Sequence, residues 1–459
     1  MQIDPRDNVE VDLETGHKVA LKDIPEGENV IKYGFPIGHA TKSISKGEAV
    51  HSHNLKTNLT NAVEYTYSPF HSASPACDGD RSFMGYVRED GSVGIRNDIW
   101  IINTVGCVNK IAQRLAQTTG AESFPHPFGC SQLGDDMHNT QKILKGMVNH
   151  PNAGGILVLG LGCENNHMEE FCRVLGEVNP DRVKFLNSQD SRDELAEGAK
   201  LIEELGKYAD TFKRTPVPIS KLRVGLKCGG SDGFSGITAN PLVGRFSDRL
   251  IACGGSSVLT EVPEMFGAET LLMERCQSRE VFDKTVDLIN NFKEYFQRHG
   301  QVIYENPSPG NKAGGITTLE EKSLGCVQKG GRSAVVDVLD IGDTITKNGL
   351  NLLNGPGNDI VAITNLMSAG AHLILFTTGR GTPVGAPVPT VKISSNNRLF
   401  ENKPGWMDFN AGMLLNNKNM DEIAEQLFDY VIRVANGEQT KNEINGYKEI
   451  SIFKDGIIL

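Results

Sequence analysis

The sequence contains no long apolar run and no block of lysine and arginine residues. A bilayer span needs about 20 consecutive apolar residues, and the first residues lack the basic and apolar regions of a secretory signal. We therefore expect a cytoplasmic protein with no part in a membrane. The formal net charge of −11 gives no general attraction to phosphate groups, which argues against nucleic acids and anionic membranes as partners.

Cysteines are few and scattered, with nine in 459 residues. An odd number without dense spacing, in a chain that shows no export signal, does not indicate a disulfide framework. We expect the functional cysteines to act as thiolates and the others to pack inside the protein. Cys172, Cys253 and Cys276 belong to this second group because they lie in helical or apolar runs.

The composition is typical of a globular α/β protein. Apolar residues make up 39% of the chain and 50 glycines indicate many tight turns, which excludes a fibrous or disordered class. A chain of 459 residues allows two or three domains, each able to bury its own core.

The pattern of short and long elements divides the chain. From Asn8 to about Leu59, short runs rich in Val, Ile and Lys alternate with turns, which predicts a small all-β module. After Tyr86, strands alternate with longer helical runs, which predicts βαβ units around largely parallel sheets. The polar segment 62–80 and the prolines near 215–220 mark the joins. The predicted domains are residues 1–75 (all-β), 76–216 (central α/β) and 217–459 (C-terminal α/β).

Apolar periodicity predicts the individual elements of the two α/β domains. Strands are predicted over 98–107, 154–163, 221–230, 334–342, 359–366 and 372–382. Helices are predicted over 107–117, 138–150, 191–212 and 420–437.

His51-Ser52-His53 is the first candidate for a metal site. If the segment is a strand or a strand end, residues i and i+2 point to the same face, and two imidazoles there can share a divalent metal. The alternative is a pair of exposed histidines in a linker. His17-Lys18 follows a turn in the same module and is a weaker candidate.

Three Gly-Cys pairs follow apolar or glycine-rich segments and place Cys107, Cys130 and Cys163 in similar positions. Ligands of open α/β sheets gather at the carboxyl edge of the strands. Thiolates that converge there can bind a single iron or an iron–sulfur cluster with one open site. Alternatively, the three are inert core thiols, because cysteine is often buried. Cys228 is a fourth candidate.

Two glycine-rich loops suit an acid with several hydroxyls. The loop that begins at Cys228 exposes backbone N–H groups, but it lacks the Lys-Ser/Thr pair of a P-loop, and no GxGxxG motif opens the first βα unit. A nucleotide cofactor is therefore disfavoured. Arg380 follows an apolar strand, and its guanidinium can clamp a carboxylate unless an acidic neighbour pairs with it. The candidates for binding substrate are Ser231, Asp232, Ser235, Thr238, Asn240, Thr378 and Arg380.

Several long blocks resemble the altronate/galactarate dehydratase family. GHKVALKDIPEGENVIKYGFPIG and HSHNLKTNL are similar to its N-terminal SAF (β-clip) domain. The following domains are matched by GYVREDGSVGIRNDIWIINTVGCVN, FGCSQLGDD, GLGCENN, KCGGSDGFSGITANPLVG, NPSPGNKAGGITTLEEKSLGCVQKGG and FTTGRGTPVGAPVPTVKI. The resemblance covers nearly the whole chain.

The resemblance implies a hydro-lyase that converts a sugar acid to its 2-keto-3-deoxy product with the help of Fe²⁺, Mn²⁺ or an iron–sulfur cluster. HSHN at 51–54 resembles the altronate branch of the family, although the β module is shorter than is usual there. We expect His17, Lys18 or Lys312 to act in proton transfer. The expected metal ligands are His51, His53, Cys107, Cys130 and Cys163. The sequence leaves open whether the chain forms a homo-oligomer.

Three alternative functions are compatible with these blocks. Galactarate dehydration is the nearest. A sulfo-lyase acting on sulfolactate shares the blocks, but there the β module is commonly a separate chain. A non-catalytic sugar-acid sensor is the third, and the sequence shows no output module that would support it.

Overall fold

The computed structural model describes residues 1–59, 64–69, 77, 81–416 and 418–459. Within these residues no helix combines the length and the apolar character needed to cross a bilayer. The segment predicted to join the first two domains, residues 62–80, lies largely outside the described residues, so the boundary predicted at 75/76 stays a prediction.

The N-terminal segment forms the expected all-β module, which we define as residues 1–59. It contains two three-stranded antiparallel sheets, ordered β1-β2-β5 and β3-β4-β6. Val30 and Ile37 belong to the same buried cluster as Leu319 and Leu324, so the core of the module is continuous with that of the C-terminal domain. The strands are β1 (Val9–Val11), β2 (Lys18–Ala20), β3 (Asn29–Lys32), β4 (Phe35–Ala40), β5 (Ala49–Val50) and β6 (Leu55–Lys56).

The central domain contains a four-stranded parallel sheet ordered β10-β9-β11-β12. Every residue of β11 is buried, as expected of a strand covered by helices on both faces. A second, antiparallel sheet has the order β13-β7-β8. The strands are β7 (Ser82–Val87), β8 (Val93–Gly94), β9 (Asp98–Asn103), β10 (Glu122–Ser123), β11 (Ala153–Gly160), β12 (Val183–Asn187) and β13 (Arg214–Pro218). The helices are α1 (Asn109–Thr119), α2 (Asp135–Val148), α3 (Met168–Leu175) and α4 (Glu194–Ala209).

The C-terminal domain is built on a seven-stranded parallel sheet ordered β16-β17-β15-β14-β18-β19-β20. The strands are β14 (Arg223–Cys228), β15 (Ser256–Leu259), β16 (Val335–Leu339), β17 (Gly349–Leu353), β18 (Leu373–Thr378), β19 (Thr390–Ser394) and β20 (Phe409–Asn410). The helices are α5 (Ala239–Ala252), α6 (Glu269–Met273), α7 (Arg279–Arg298), α8 (Pro309–Ala313), α9 (Leu319–Cys326), α10 (Asp359–Ser368), α11 (Asn397–Asn402), α12 (Met420–Ala435) and α13 (Lys441–Ile444).

Strand β14 is the point at which the order of this sheet reverses. The chain passes from β14 to β15 on one side, and later returns to place β18 on the other side. In open parallel sheets, ligands bind outside the carboxyl ends of the strands at such a switch point. The loops that follow β14, β15 and β18 are therefore the first place to look for a site.

The strand predicted over 359–366 is wrong, because these residues form helix α10. The side chain of Asn358 accepts a hydrogen bond from the backbone N–H of Val361 and caps the first turn, a typical helix start. Eight of the ten helical residues are buried. A short apolar run of this kind has no periodicity that separates a buried helix from a buried strand.

The sequence indicated no disulfide framework, but the described residues contain a disulfide that it did not predict. Cys77 and Cys253 are bonded, and they lie 176 residues apart in the sequence. Cys253, which we expected to be a packing residue, caps the carboxyl end of α5. The bond connects Cys77, in the segment that follows the β module, to the C-terminal domain. The number and spacing of cysteines cannot reveal such a pairing.

Two buried histidines face each other where the central and C-terminal domains meet. The His150 Nε2–H donates to the carbonyl oxygen of Ala371, and its Nδ1 accepts from the backbone N–H of Asn152. The Nδ1 atom of His372 accepts from the backbone N–H of Arg223. Burial lowers the pKa of His150 to about 3 and that of His372 well below its usual range. Both imidazoles are therefore neutral, since each uses a ring nitrogen as an acceptor.

We expect the protein to lose stability as the pH falls below about 6.5. Folding lowers the pKa of these histidines, so the folded state is favoured most at pH values above the pKa of an unfolded histidine. This contribution to stability is lost as the pH falls from that value toward the lower pKa of the folded state. The loss for each histidine is about 1.4 kcal/mol per pH unit. In His150→Gln, the amide can donate and accept as the imidazole does but cannot be protonated, so the free energy of unfolding should depend less steeply on pH.

Urea unfolding at several pH values between 5 and 7 measures this slope. His138→Gln is the matched control, because His138 is exposed on α2. Equal slopes for wild type and His150→Gln would contradict the role of the buried histidine.

Candidate active site

Backbone hydrogen bonds join the loops after β14 and β18. The N–H of Gly229 donates to the carbonyl oxygen of Thr377 at 3.0 Å, and the N–H groups of Gly379 and Arg380 donate to Gly230 at 3.1 and 2.9 Å. Gly230 has φ +62°, a conformation that favours glycine. We call these loops, together with segment 311–317, the switch-point site.

Asp232 connects the loops of the switch-point site. One carboxylate oxygen accepts hydrogen bonds from the hydroxyls of Ser235 and Ser395, and the other accepts from the side-chain amide of Asn396. A Cβ added at Gly379 would lie 2.1 Å from the Asp232 carboxyl carbon. Burial raises the pKa of Asp232, and its hydrogen bonds oppose the rise. The carboxylate has its acceptor positions filled by the protein, so it organises the loop.

Three other polar residues predicted to bind substrate are buried in the same loop or at the start of α5. The Thr238 hydroxyl donates to the carbonyl oxygens of Phe234 and Ser395. Ser235 is held by Asp232, and the Asn240 side chain binds Gly325 and Thr377. These contacts shape the loop from within. By contrast, the buried Ser231 hydroxyl has no hydrogen-bond partner among the described residues.

Arg380 is exposed beside this loop. Its backbone N–H is tied to Gly230, but no carboxylate of the described residues pairs with its guanidinium. The hydroxyl oxygen of Thr378 accepts the backbone N–H of Gly381 at 2.9 Å and fixes the turn that carries Arg380. Within the part of the chain that the structure describes, Arg380 thus forms no structural ion pair, and the guanidinium can bind an anion.

The β module covers one side of the switch-point site. A Cβ added at Gly233 or Gly315 would lie 1.9 or 2.5 Å from the carbonyl oxygen of Gly16, so the three backbones are in close contact. The rings of His17 and His51 have centroids 5.5 Å apart, and His51 Nε2 lies 2.9 Å from the carbonyl oxygen of Lys312. Partial burial lowers the pKa of His51, which favours a neutral imidazole.

Of the two possibilities for His51-Ser52-His53, a strand is wrong: the segment directly follows the end of β5, and residues 51–54 form the turn between β5 and β6. The side chain of Asn54 accepts the backbone N–H of His51 and stabilises this turn. The two imidazoles therefore do not share the face of a strand. His51 points toward segment 311–317, and His53 is exposed.

A buried carboxylate fastens the module to the C-terminal domain. Glu321 on α9 lies 2.8 Å from the ammonium groups of both Lys18 and Lys32, and all three side chains are no more than 1% exposed. Burial lowers the pKa of Lys18 to about 8. At Lys32 the effect of burial is outweighed by Glu321 and Tyr33 together, which raise its pKa. The Lys18 Nζ also donates to Gly315 and Thr317. We call Lys18, Lys32 and Glu321 the interdomain ion triad.

The three Gly-Cys pairs follow the strands of the central sheet, and we call Cys107, Cys130 and Cys163 the thiol edge. Cys107 and Cys163 are exposed and Cys130 is half-buried, so they are not inert core thiols. Asn166 joins the three loops: its backbone N–H donates to Gly129, and its side chain donates to Thr104. Within the described residues, no hydrogen bond connects the thiol edge to the β module or to the switch-point site.

Cys228, the fourth thiol candidate of the sequence, belongs to a buried ligand group whose other two members, Glu264 and Cys326, the sequence interpretation missed. Among the described residues, only Cys228, Glu264 and Cys326 bring three His, Cys, Asp or Glu ligand atoms within 4.8 Å of one another. We call them the Cys-Glu-Cys centre. Gly325-Cys326 is a fourth Gly-Cys pair, so the repeated dipeptide was a signal that could have found it. Glu264 follows β15 in a run with no motif.

Family models match three successive parts of the chain. Residues 2–58 match the altronate/galactarate dehydratase SAF domain, residues 85–210 the second domain of D-galactarate dehydratase/altronate hydrolase, and residues 219–458 the C-terminal D-galactarate/altronate dehydratase domain. The chain belongs to the galactarate/altronate dehydratase family.

Relatives within this family differ in how closely they match. The chain is 54% identical to altronate dehydratase of Bacillus subtilis (strain 168) and 53% identical to that of Escherichia coli (strain K12), with 98% of this chain and 93% of each relative covered. Identity to galactarate dehydratase (L-threo-forming) of Escherichia coli (strain K12) is 32%, over 92% of this chain and 86% of the relative.

We expect Glu321→Gln to loosen the β module. The substitution leaves two buried ammonium groups without their carboxylate, and breaking a buried ion pair in this way costs about 3–5 kcal/mol. Limited proteolysis should then cut the join between residues 59 and 81 faster, and the thermal midpoint should fall. Glu203→Gln, which removes one partner of an exposed pair with Lys207, should change neither. Identical proteolysis of Glu321→Gln and wild type would contradict the fastening role.

Proposed function

We propose that this protein is a hydro-lyase that converts D-altronate to 2-dehydro-3-deoxy-D-gluconate and water. The observation that carries the proposal is the 54% and 53% identity to two altronate dehydratases along 98% of the chain. Galactarate is the second candidate substrate, because a galactarate dehydratase is 32% identical over most of the chain.

The proposed seat of the substrate is the switch-point site. Among the described residues no carboxylate pairs with the Arg380 guanidinium, which can bind the substrate carboxylate, and no group bonds the buried Ser231 hydroxyl, which we assign to a substrate hydroxyl. Asp232, Ser235, Thr238, Asn240 and Thr378 contribute by holding the loop in shape, as their internal hydrogen bonds indicate.

Proton transfer is assigned to the side chains that the β module brings to this site. The hydrogen on the carbon beside a carboxylate is weakly acidic, so its removal needs a base and stabilisation of the enediolate. His17 and His51 lie together at the module surface, and Lys312 is exposed beside them. Lys18, which is held by Glu321, Gly315 and Thr317, positions the module.

The metal proposed for this reaction is iron, with Mn²⁺ as the alternative. Bound iron supplies Lewis-acid stabilisation of the negative charge that develops on the substrate. We propose that the thiol edge holds it as an iron–sulfur cluster. The three thiols lie on loops that hydrogen bonds hold together, and they suit a cluster because its thiolate ligands bind separate irons. They suit a single ion less well, because the three sulfur atoms do not all lie within 4.8 Å of one another. His51 and His53 lie in the β module, which no hydrogen bond of the described residues connects to the thiol edge, so we propose them as ligands of a separate single metal ion and not of the cluster.

Turnover of D-altronate and galactarate by anaerobically purified protein, under reducing conditions with added Fe²⁺ or Mn²⁺, tests the proposed reaction. We expect 2-keto product from altronate and much less from galactarate. Faster turnover of galactarate would reverse the order of the two substrates. A raised melting temperature with either acid and no keto product would contradict a hydro-lyase.

We expect Arg380→Ala to lower kcat/KM about 10- to 100-fold, because a hydrogen bond to a charged group contributes roughly 1.5–3 kcal/mol. Arg380→Lys should recover only part of the loss, since an ammonium cannot bind a carboxylate in a bidentate manner. Arg398→Ala is the control, because Arg398 is exposed on nearby α11. Unchanged kcat/KM in Arg380→Ala would show that Arg380 does not bind the substrate.

For the thiol edge, we expect Cys163→Ser to lose most of its bound iron and acid-labile sulfide. Cys172→Ser should keep both, because Cys172 is half-buried on α3, away from the edge. Iron and sulfide analysis of anaerobically purified proteins measures the difference. Equal contents in wild type and Cys163→Ser would exclude the proposed cluster.

A further inference from the structure

The Cys-Glu-Cys centre is a compact triangle of metal-ligand atoms. Cys228 Sγ lies 3.3 Å from Cys326 Sγ and 3.3 Å from Glu264 Oε2, and the third side, from Cys326 Sγ to Glu264 Oε2, is 3.2 Å. All three residues are buried, with exposures of 1%, 4% and 4% for Cys228, Glu264 and Cys326. A cation placed just out of the plane of this triangle would lie at distances near those typical of zinc, about 2.3 Å to sulfur and about 2.0–2.2 Å to oxygen.

We propose that Cys228, Glu264 and Cys326 bind one soft divalent cation, Zn²⁺ or Fe²⁺, at a centre separate from the thiol edge. Two thiolates favour such ions over Mg²⁺ and Ca²⁺, which prefer oxygen ligands. Three protein ligands leave a fourth coordination position, as in catalytic rather than structural zinc sites. The proposal does not depend on the identity of the substrate.

When a divalent cation binds, the charges around the centre stay balanced only if both thiols lose their protons. Three buried ammonium groups face three carboxylates: Lys322 pairs with Glu264 at 2.7 Å, Lys329 with Glu261 at 2.8 Å and Lys227 with Asp359 at 2.9 Å. These six charges sum to zero. A divalent cation that displaces two thiol protons keeps the sum at zero, so that no unpaired charge is buried.

Neighbouring side chains hold each ligand in place. The Lys322 ammonium donates to Glu264 Oε1 and leaves Oε2, the oxygen of the triangle, in contact with the two thiols alone among the described residues. The Lys329 Nζ donates to Cys228 Sγ at 2.7 Å, a contact that requires the sulfur to act as an acceptor. Contacts of this kind orient metal ligands and tune their basicity. These contacts support a metal site independently of the distances within the triangle.

The centre lies directly beneath the switch-point site. Lys322 Nζ is 3.3 Å from Asn311 Oδ1, and the Asn311 side-chain amide donates to the carbonyl oxygen of Ser231 at 2.8 Å. A short chain of hydrogen bonds therefore runs from Glu264 to the loop that carries Ser231. A bound cation would set the position of this loop.

Metal content and spectra of the full-length protein test the proposal without a measurement of activity. The protein is stripped by a chelator under reducing conditions, reloaded with Co²⁺ or Zn²⁺ and desalted. We expect wild type to bind Co²⁺ with intense thiolate-to-metal absorption in the near ultraviolet. Cys228→Ser and Cys326→Ser should lose one bound ion per chain, whereas Cys276→Ser should not, because Cys276 is a buried thiol that contacts Thr285 and Leu272.

X-ray absorption on zinc-loaded Cys107→Ser/Cys130→Ser/Cys163→Ser protein keeps the test decisive if the Cys228 and Cys326 variants do not fold. With the thiol edge removed, the zinc should have two sulfur and one or more oxygen or nitrogen neighbours. Zinc without sulfur neighbours, or unchanged binding in both Cys228→Ser and Cys326→Ser, would overturn the proposal. Absence of sugar-acid turnover in wild-type protein that binds the cation normally would instead count against the proposed function.

Discussion

The carboxylate of Glu321 is the contact on which the arrangement of the candidate site depends. It is shared by Lys18 and Lys32, both from the β module and both withdrawn from water. Charges in such surroundings must be paired, because an isolated buried ion is very costly. The module therefore has one favourable position on the C-terminal domain, and that position sets His17 and His51 beside segment 311–317.

The switch-point site follows a similar rule for polar groups. Its loops are rich in glycine, so side chains do not keep the backbones apart, and Asp232 collects the hydroxyl and amide groups that converge there. Most of the polar side chains that suggested a sugar-binding loop therefore form hydrogen bonds within the protein and stabilise the loop. Ser231 and Arg380 are the exceptions, and this makes them the better candidates for direct contact with an anionic polyol.

Much of the architecture could be predicted from the sequence, since alternation of short strands and the change to strand–helix repeats are direct consequences of burial. The thiols of the central domain also lie after strand ends as predicted. Helix α10 was misread because an apolar run that is buried on all sides has no period. The Cys77–Cys253 bond and the Cys-Glu-Cys centre join residues distant in the chain, and no local pattern encodes such pairings.

Helix α9 and the turn after it carry parts of two different assemblies. Glu321 belongs to the interdomain ion triad, the adjacent Lys322 orients Glu264, and Cys326 and Lys329 meet Cys228 within the next two turns. Binding of a cation in the Cys-Glu-Cys centre and docking of the β module through the interdomain ion triad both restrain the same few residues. A cation in the Cys-Glu-Cys centre would thus strengthen docking of the β module, and docking would raise the affinity for the cation by an equal factor, as thermodynamic linkage requires.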